Sequence, residues 1–400
     1  MVTGNYYYFP ILKTRNAEMK AYENLSEQVK DEILPIFELT GAKGYTFGKN
    51  CKDPSKVGMR RPGDITKKRN EILRLVGERP FILDITDDES LLFDGLSPLT
   101  EPNNGFCKWV DFLISNEKFK SQVIPTIQFN TDENVINDTF KQIEILDKYF
   151  NNIAIKLPAF IFKDENINDS NLFDIKNIIA NVYIQGIIDR ICEKLTGKKL
   201  IVILDFGFIK KLENYNEIIN LCIQSINNLS QIKALIPTSS CFPSFVGSAI
   251  SNAFQAYEKD IYELVKSSIK ENNKIFCGDY ASLHPVKYTT SGGGWIPRID
   301  CTFYDKNTKS FVYFYHRGIA EDKNDSKKYI ELAQRVVNSD EYQKILNYDN
   351  WGNEQIQNKA KGALEGKIPS HWISVRSNHY INQMLTYLKA NISNPFSLFS

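Results

Sequence analysis

Short apolar runs alternate with amphipathic helical patterns along the sequence, and this alternation limits the possible folds more than any other feature. Eight of the runs are nearly continuous in hydrophobic residues, which is typical of strands buried on both faces of a parallel sheet. The predicted strands are Tyr6–Leu12, Ile33–Leu39, Pro80–Thr86, Gln122–Gln128, Asn152–Leu157, Leu200–Asp205, Ile232–Pro237 and Lys274–Asp279. The predicted helices between them are Asn16–Asp31, Asp64–Gly77, Gly105–Phe119, Asp132–Tyr149, Asn171–Leu195, Asn214–Asn228 and Val246–Glu271.

Eight strand and helix units in residues 1–290 predict an α/β protein with a (β/α)8 TIM-like barrel, a fold of about 250 residues. The alternative is a doubly wound open sheet, which normally has five or six strands and often a glycine-rich phosphate loop after the first strand. Here the first predicted strand is followed by Lys13-Thr14-Arg15-Asn16, which is no such loop. The barrel is therefore the favoured prediction.

The pattern changes after the eighth predicted strand. The segment Ser291-Gly292-Gly293-Gly294 predicts a flexible link. Ile296–Tyr304 and Phe311–Arg317 then alternate with period two about a turn at residues 305–308, which predicts a β-hairpin. Residues 291–320 are therefore predicted to be an inserted hairpin at the barrel mouth.

The last part of the chain, residues 321–400, is predicted to be mainly helical. Helical patterns occur at Ser326–Val337 and at Asn378–Lys389. We interpret this part as the closing helix of the barrel together with a C-terminal helical subdomain.

Charged residues are almost balanced, with 49 basic and 48 acidic side chains and a formal net charge of +1. A neutral chain has no overall field that would draw it to DNA or to an anionic membrane. The apolar runs are shorter than the roughly 20 residues that span a bilayer, and the first residues lack the basic segment of a signal peptide. These features predict a cytoplasmic protein without membrane contact.

Polar side chains stand at the carboxyl ends of the predicted strands, where barrel enzymes have their sites. They are Lys13, Glu38, Asp84, Gln128, Lys156, Asp205, Ser239, Ser240 and Asp279. Buried charges are costly, so these groups must pair, bind a ligand or reach water. We predict that Lys13 binds a ligand and that the catalytic residues are Glu38, Asp84, Lys156, Asp205 and Asp279. Structural ion pairs and helix caps are the alternative.

A cationic segment follows the second predicted strand. Residues 43–79 contain eleven basic and four acidic side chains, among them the pair Arg60-Arg61. Guanidinium groups bind phosphate in a bidentate manner, so we predict that Arg60 and Arg61 bind a phosphorylated ligand or nucleic acid. A solvated helix face is the alternative interpretation.

Further candidate ligand-binding residues lie after the predicted barrel. Arg298 begins the hairpin, and His316 and Arg317 end it just before Gly318. Asn378 is predicted to cap the last helix, which would place His379 in the first turn, where the helix dipole favours a neutral imidazole. All of these residues could instead have packing roles.

Several common motifs are absent from the sequence. Seven cysteines occur without a CxxC pair, and all four histidines lie in the last third, so neither a disulfide framework nor a zinc ribbon is predicted. No P-loop, HExxH or GxSxG motif occurs. A metal held by the predicted carboxylates would have oxygen ligands, which favours Mg²⁺ or Mn²⁺.

Short segments along most of the chain resemble the Beta protein family. They are Tyr8–Lys13 with Glu18 and Leu25-Ser26, Pro35–Glu38, Phe81–Asp84, Ile296–Arg298, Phe314–Gly318 and Asn378-His379. The family occurs in phages, prophages and bacterial mobile regions. The resemblance implies a barrel-like fold, a role in phage–host conflict and no established enzymatic activity.

Two main functions are open from the sequence. The first is a barrel protein of phage–host conflict, either anti-phage or phage-encoded. It holds a phosphorylated or nucleotide-like ligand in a charged cleft and acts as a metal-assisted hydrolase. The second is a non-catalytic sensor or inhibitor that binds a phage or host protein. A Schiff-base role for Lys156 or Lys13 is a third and weaker interpretation.

Overall fold

A computed structural model of the protein describes residues 4–42, 44–46, 48, 52–92, 95–129, 135–162, 178–197, 199–286, 294–392 and 394–398. Its strands are β1 (Asn5–Tyr6), β2 (Tyr8–Lys13), β3 (Ile36–Leu39), β4 (Tyr45–Thr46), β5 (Arg60–Arg61), β6 (Phe81–Ile85), β7 (Val123–Pro125), β8 (Ile153–Pro158), β9 (Phe160–Phe162), β10 (Ile178–Ala180), β11 (Leu200–Phe208), β12 (Ala234–Ser240), β13 (Ser251–Ala256), β14 (Cys277–Asp279), β15 (Arg298–Asp305), β16 (Ser310–Arg317) and β17 (Phe396–Ser397). Its helices are α1 (Asn16–Glu23), α2 (Glu27–Glu32), α3 (Thr66–Val76), α4 (Asn103–Ile114), α5 (Glu117–Gln122), α6 (Ile136–Tyr149), α7 (Ile184–Cys192), α8 (Asn216–Gln224), α9 (Glu258–Ser268), α10 (Lys328–Val337), α11 (Trp351–Ala360) and α12 (Pro369–Asn391).

All eight predicted strands are confirmed, with somewhat different ends, and they pair in parallel. Five form a sheet in the order β14-β2-β3-β6-β7, and three form a sheet in the order β8-β11-β12. Lys13 lies opposite Glu38 across β2 and β3, and Glu38 lies opposite Asp84 across β3 and β6. The pairing therefore places three of the predicted site residues side by side at the carboxyl ends of neighbouring strands.

Single parallel bridges connect the two sheets at both of their outer edges. Thr126 bridges to Ala154, and Leu235 bridges to Ile275. At these places the amide of Ile127 donates to the Ala154 carbonyl oxygen at 2.8 Å, and the amide of Phe276 donates to the Leu235 carbonyl oxygen at 3.0 Å. The TIM-like barrel stays a prediction, and we propose that the eight strands form one ring that closes at these bridges.

Alternate residues of the parallel strands belong to two separate apolar clusters. One cluster, which we call the inner cluster, includes Phe9, Ile11, Ile36, Ile82, Ile124, Ala154, Ile201, Ile203, Ala234, Ile236 and Phe276. Residues on the other face of the same strands, such as Tyr8, Phe37 and Leu83, pack in a larger cluster that includes helix residues. Because successive side chains of a strand alternate between faces, two buried faces require the nearly continuous hydrophobic runs of the sequence.

A three-stranded antiparallel sheet in the order β13-β16-β15 follows the parallel strands. The pairing of β15 with β16 agrees with the predicted hairpin. The helix predicted over Val246–Glu271 is wrong in its first part, because Ser251–Ala256 is strand β13 and helix α9 begins only at Glu258. Alanine and glutamine in β13 favour a helix weakly, and hydrogen bonding to β16 overrides that preference.

The prediction that Asn378 begins the last helix is also wrong. Helix α12 begins nine residues earlier, at Pro369, and proline is favoured in the first turn of a helix. Almost every residue from Ser374 to Leu385 is buried, so this stretch has no amphipathic periodicity from which its length could be predicted. In the described ranges, no helix combines the length and the apolar character that crossing a bilayer requires.

The predicted helices beginning at Asp132 and Asn171 start outside the described residues, as does most of the link at Ser291–Gly294. The predicted division of the chain into a barrel, an inserted hairpin and a C-terminal subdomain stays a prediction.

Candidate functional site

A layer of polar side chains follows the inner cluster toward the carboxyl ends of the parallel strands. Each member lies two positions after a residue on the inner face of its strand, and side chains two positions apart share a face. The layer contains Lys13, Glu38, Asp84, Thr126, Lys156, Asp205, Thr238 and Tyr280. We call this set the polar layer, and it contains five of the six charged strand ends that the sequence predicted.

Glu38 lies between the two lysines of the polar layer. One of its carboxylate oxygens contacts the Lys13 ammonium, and Oε1 accepts a hydrogen bond of 2.8 Å from Lys156 Nζ. The Lys13 ammonium also donates to Thr86 Oγ1 at 3.2 Å. Burial alone would raise the pKa of Glu38, but the two ammonium groups outweigh it and lower the pKa to about 2.

Lys156 is surrounded by carboxylates. Besides Glu38, its Nζ lies 3.0 Å from Asp84 Oδ2 and 2.8 Å from Asp87 Oδ2. Burial would lower the pKa of Lys156, but Asp84, Asp87 and Glu38 raise it well above its ordinary value. A Schiff-base lysine must lose its proton to attack a carbonyl, so these contacts disfavour that interpretation.

Asp205 has a different set of partners. Its Oδ2 accepts a hydrogen bond of 2.5 Å from the Tyr280 hydroxyl, and its Oδ1 accepts from Thr238 Oγ1 at 3.3 Å and from the Gly207 amide at 2.9 Å. Burial raises the pKa of Asp205 despite these donors and the nearby Lys156. The polar layer thus contains three carboxylates and two ammonium groups, which gives it a charge of −1 when all are ionised.

A cavity of about 1090 Å³ opens beside the polar layer. Asp84, Lys156 and Asp205 line it, and Asp87 lies at the same place with an exposed side chain. Its other lining residues are apolar, aromatic or neutral polar, except for one cation, and they include Ile127, Gln128, Phe129, Ile161, Asn181, Tyr183, Ile187 and Arg190. The arrangement provides charged hydrogen-bonding groups at one place and apolar walls around them.

Asp279 is the predicted catalytic residue that the structure does not bring into the polar layer. It is fully buried on the opposite face of β14, where it accepts hydrogen bonds from Tyr8, from the Tyr380 hydroxyl at 2.8 Å and from the Ala281 amide at 2.7 Å. Burial raises its pKa to about 6 despite these donors. Its neighbour Tyr280 has the inner position instead.

A second buried carboxylate belongs to the same region. Glu258 Oε1 accepts from the Tyr313 hydroxyl at 2.7 Å and from the Cys241 amide at 2.8 Å, and the rings of Tyr313 and Tyr380 stack at 5.6 Å. Burial, followed by the charge of Asp279, raises the pKa of Glu258 to about 7. We call Tyr8, Glu258, Asp279, Tyr313 and Tyr380 the tyrosine–carboxylate cluster. In the described part of the chain its carboxylates accept from hydroxyl and amide groups and form no ion pair with a cation.

Arg60 and Arg61 lie away from the described lining of the cavity. They form the two-residue strand β5, which pairs with β4, and both are exposed. Arg61 donates to the Tyr45 hydroxyl at 3.4 Å. Their predicted role in phosphate binding stays a prediction.

Asn378 and His379 are fully buried within α12 and connect it to neighbouring segments. Asn378 Oδ1 accepts from the Gly352 amide at 2.9 Å, and Nδ2 donates to the Ala21 carbonyl at 3.0 Å. His379 Nε2 donates to the Thr302 carbonyl at 2.9 Å, while burial lowers the pKa of its imidazole to about 4. Burial therefore favours the neutral imidazole, and these contacts connect both residues to neighbouring segments, while their predicted ligand-binding roles stay a prediction.

The hairpin residues lie on two faces of β15 and β16. Arg298 is opposite Arg317 on one face, and neither lines the cavity. His316 is opposite Ile299 on the other face, where burial and Arg335 lower the pKa of its imidazole. The structure therefore separates the predicted cations into the lysines of the polar layer, the arginines of the hairpin and the exposed pair Arg60-Arg61.

Sequence reasoning did not identify Thr126, Thr238, Tyr280 or Asp87 as site residues. Period-two counting along each strand would have found the first three, because they share a face with inner apolar residues. Metal ligation by the predicted carboxylates also stays a prediction. Within the described ranges, no group of three or more histidine, cysteine, aspartate or glutamate side chains is placed to hold a metal ion.

The parallel strands, the polar layer and the cavity define an α/β protein with a charged cleft at the strand ends. Comparison with known proteins shows that the chain belongs to the Beta protein family, which matches residues 8–386. The chain is also similar to a protein named Protein beta from Enterobacteria phage P4. The two are 27% identical over 394 residues, which cover 96% of this chain and 95% of the phage protein. No solved structure matches the chain.

Proposed function

We propose that this phage-related protein binds a nucleotide-like small molecule in the cavity and acts in phage–host conflict. The observation that carries the proposal is the cavity itself, in which Asp84, Lys156 and Asp205 lie beside mainly apolar walls. Small-molecule sites are usually concave, largely apolar and provided with a few convergent polar groups, with volumes of about 300–1,000 Å³. The cavity has this composition, and its volume of about 1090 Å³ is slightly above that range.

The charges of the cavity suggest how such a ligand would lie. Carboxylates accept hydrogen bonds from ribose hydroxyl or base amino groups, so Asp84 and Asp205 would hold the donor-rich part of the ligand. The negative charge of the polar layer disfavours a phosphate there. Arg190 is the guanidinium among the described lining residues and suits a phosphate, while Phe129 and Tyr183 offer rings for a flat base.

Lys156 favours binding of the ligand without turnover. Its ammonium is paired with carboxylates and keeps the proton that a nucleophilic lysine would have to lose. Hydrolysis of the same ligand is a second candidate. Burial raises the pKa of Asp205, and a raised pKa is the direction of shift that a general-acid carboxyl group requires.

Asp205→Asn and Arg190→Gln are expected to weaken nucleotide binding at least about tenfold each, which corresponds to about 1.4 kcal/mol. Calorimetry with matched nucleoside, deoxynucleoside and nucleotide panels measures this, with and without Mg²⁺ or Mn²⁺. Arg190→Gln should weaken nucleotides more than nucleosides, because it removes the proposed phosphate contact.

The matched control is Arg74→Gln, which removes an exposed guanidinium that is paired with Glu23. It should leave binding unchanged. The proposal fails when no member of the panels binds the parent protein, or when both cavity variants bind like the parent. Formation of a nucleotide hydrolysis product in the same samples would favour hydrolysis over binding without turnover.

A further inference from the structure

Two arginines face each other across the hairpin. Arg298 begins β15 and Arg317 ends β16, and the two are direct cross-strand partners. Such partners project from the same face of a sheet, where like charges opposite each other are destabilising. Pairing of these residues therefore needs a compensating negative charge.

One carboxylate on this face supplies part of the compensation. Asp300 lies two residues after Arg298, and its Oδ1 is 2.8 Å from Arg298 Nε. Both Arg298 Nε and Arg376 Nη1 of α12 donate a hydrogen bond to Asp300 Oδ2, at 3.0 Å and 3.1 Å. Asp300 and Arg376 are both almost fully buried, with side chains 6% and 5% exposed. Asp300 thus forms ion pairs with two guanidinium groups, those of Arg298 and Arg376.

The remaining charge is positive. Arg298, Arg317 and Arg376, which we call the arginine cluster, carry three positive charges against the single carboxylate of Asp300. Among the described residues no acidic side chain forms an ion pair with Arg317, and the buried Nε of Arg376 has no hydrogen-bond partner. Arg376 is buried and Arg298 and Arg317 are half-buried, so water screens the excess positive charge only in part, and the ion pairs with Asp300 explain only part of the cluster.

An aromatic ring orders two of these side chains. The Arg376 guanidinium lies 3.8 Å from the centre of the Phe242 ring, and the Arg298 guanidinium lies 5.7 Å from it. Stacking engages the flat face of a guanidinium and leaves its in-plane N–H donors for hydrogen bonds. The ring therefore contacts the Arg376 guanidinium closely and the Arg298 guanidinium more loosely, without using their N–H donors.

We propose that the arginine cluster is a binding site for a phosphate-class anion, taken either as inorganic phosphate or as the phosphate group of a small monoester. Guanidinium groups form paired, charge-assisted hydrogen bonds with phosphate oxygens. A dianion would balance the excess of two positive charges. The site shares no residue with the lining of the cavity, so it does not depend on the proposed function.

Arg317→Gln tests the site because it removes the cluster member to which no described residue offers a carboxylate. Thermal unfolding is measured in inorganic phosphate, in glycerol phosphate and in chloride at equal pH and ionic strength, and calorimetry gives the phosphate affinity. We expect at least a tenfold weaker phosphate affinity in the variant. In chloride the variant should be as stable as the parent or more stable, since a like-charge repulsion is relieved.

The exposed Arg74→Gln variant is again the control and should respond to phosphate like the parent. Stabilisation by either phosphate form supports the site, and comparing the two forms identifies the source of the anion. An equal rise of the unfolding temperature in the parent and in Arg317→Gln would overturn the proposal, as would a parent that gains no stability from phosphate over chloride.

Discussion

Replacing Glu38 by glutamine is expected to lower the free energy of unfolding by about 3–5 kcal/mol, the cost of breaking a buried ion pair from one side. Glu38 is 1% exposed and neutralises both Lys13 and Lys156. The substitution would leave Lys13 with the hydroxyl of Thr86 as its remaining hydrogen-bond partner in the described structure, while Lys156 would keep Asp84 and Asp87. The loss should therefore come mainly from Lys13.

The lowered pKa of Glu38, which the same two lysines cause, corresponds to an energy of similar size. A decrease from 4.5 to about 2 corresponds to about 3 kcal/mol at 1.4 kcal/mol per unit. Because the folded-state pKa is lowered, this stability is present above pH 4.5 and is lost as the pH falls through 2. Acid should thus reduce the difference between the parent protein and the variant.

Urea unfolding at pH 7 measures the effect, with Glu27→Gln as the matched control. Glu27 also contacts two cations, Lys30 and Arg79, but its side chain is 72% exposed. Water screens such pairs, so the control should lose less than about 1 kcal/mol. If Glu38→Gln loses no more than Glu27→Gln does, the buried charges of the polar layer do not have the energetic role assigned to them.

The strands and the polar layer could largely be predicted from sequence, because a buried parallel strand needs apolar residues on both faces. The position of Asp279, outside the polar layer, shows the limit of that reasoning. A shift of one residue moves a side chain to the opposite face of a strand. Choosing the last charged residue of each run therefore gave Asp279, whereas the inner face continues through Gly278 to Tyr280.

The sequence could not predict in the same way which charged side chains pair with one another. The sequence shows Lys156 and Arg317 alike as cations at strand ends. Only the fold reveals that Lys156 lies among carboxylates while Arg317 faces Arg298. For the same reason the prediction of one anion-binding cleft combined residues that the structure separates, and the two groups now suggest different ligands.

The tyrosine–carboxylate cluster predicts a second large effect, which depends on pH. The pKa of Glu258 is raised from 4.5 to about 7, mainly by burial. Between these values the folded protein keeps a proton that the unfolded chain has released, so stability falls as the pH rises. Above about pH 7 the loss is complete, at about 3 kcal/mol.

Glu258→Gln is expected to remove this dependence, because an amide does not titrate. Its oxygen can still accept from Tyr313, and its nitrogen would replace the buried Oε2 atom, which has no hydrogen-bond partner. That new donor lowers the stability of the variant by a similar amount at every pH. The difference between parent and variant, rather than either stability alone, therefore reports the titration.

Comparing the two proteins also cancels the contributions that other titrating groups make to the pH dependence of stability. Asp279, whose pKa burial raises to about 6, adds a slope of the same sign in both proteins. Histidines with lowered pKa, such as His371 and His379, add the opposite slope below pH 6.5.

Urea unfolding between pH 5 and 8 should show the parent losing about 2–3 kcal/mol more than Glu258→Gln. The exposed control Glu217→Gln on α8 should follow the parent at every pH. Parallel pH curves for the parent and Glu258→Gln would mean that Glu258 is ionised in the folded protein throughout this range. The buried cluster would then need a counter-charge that its tyrosines do not supply.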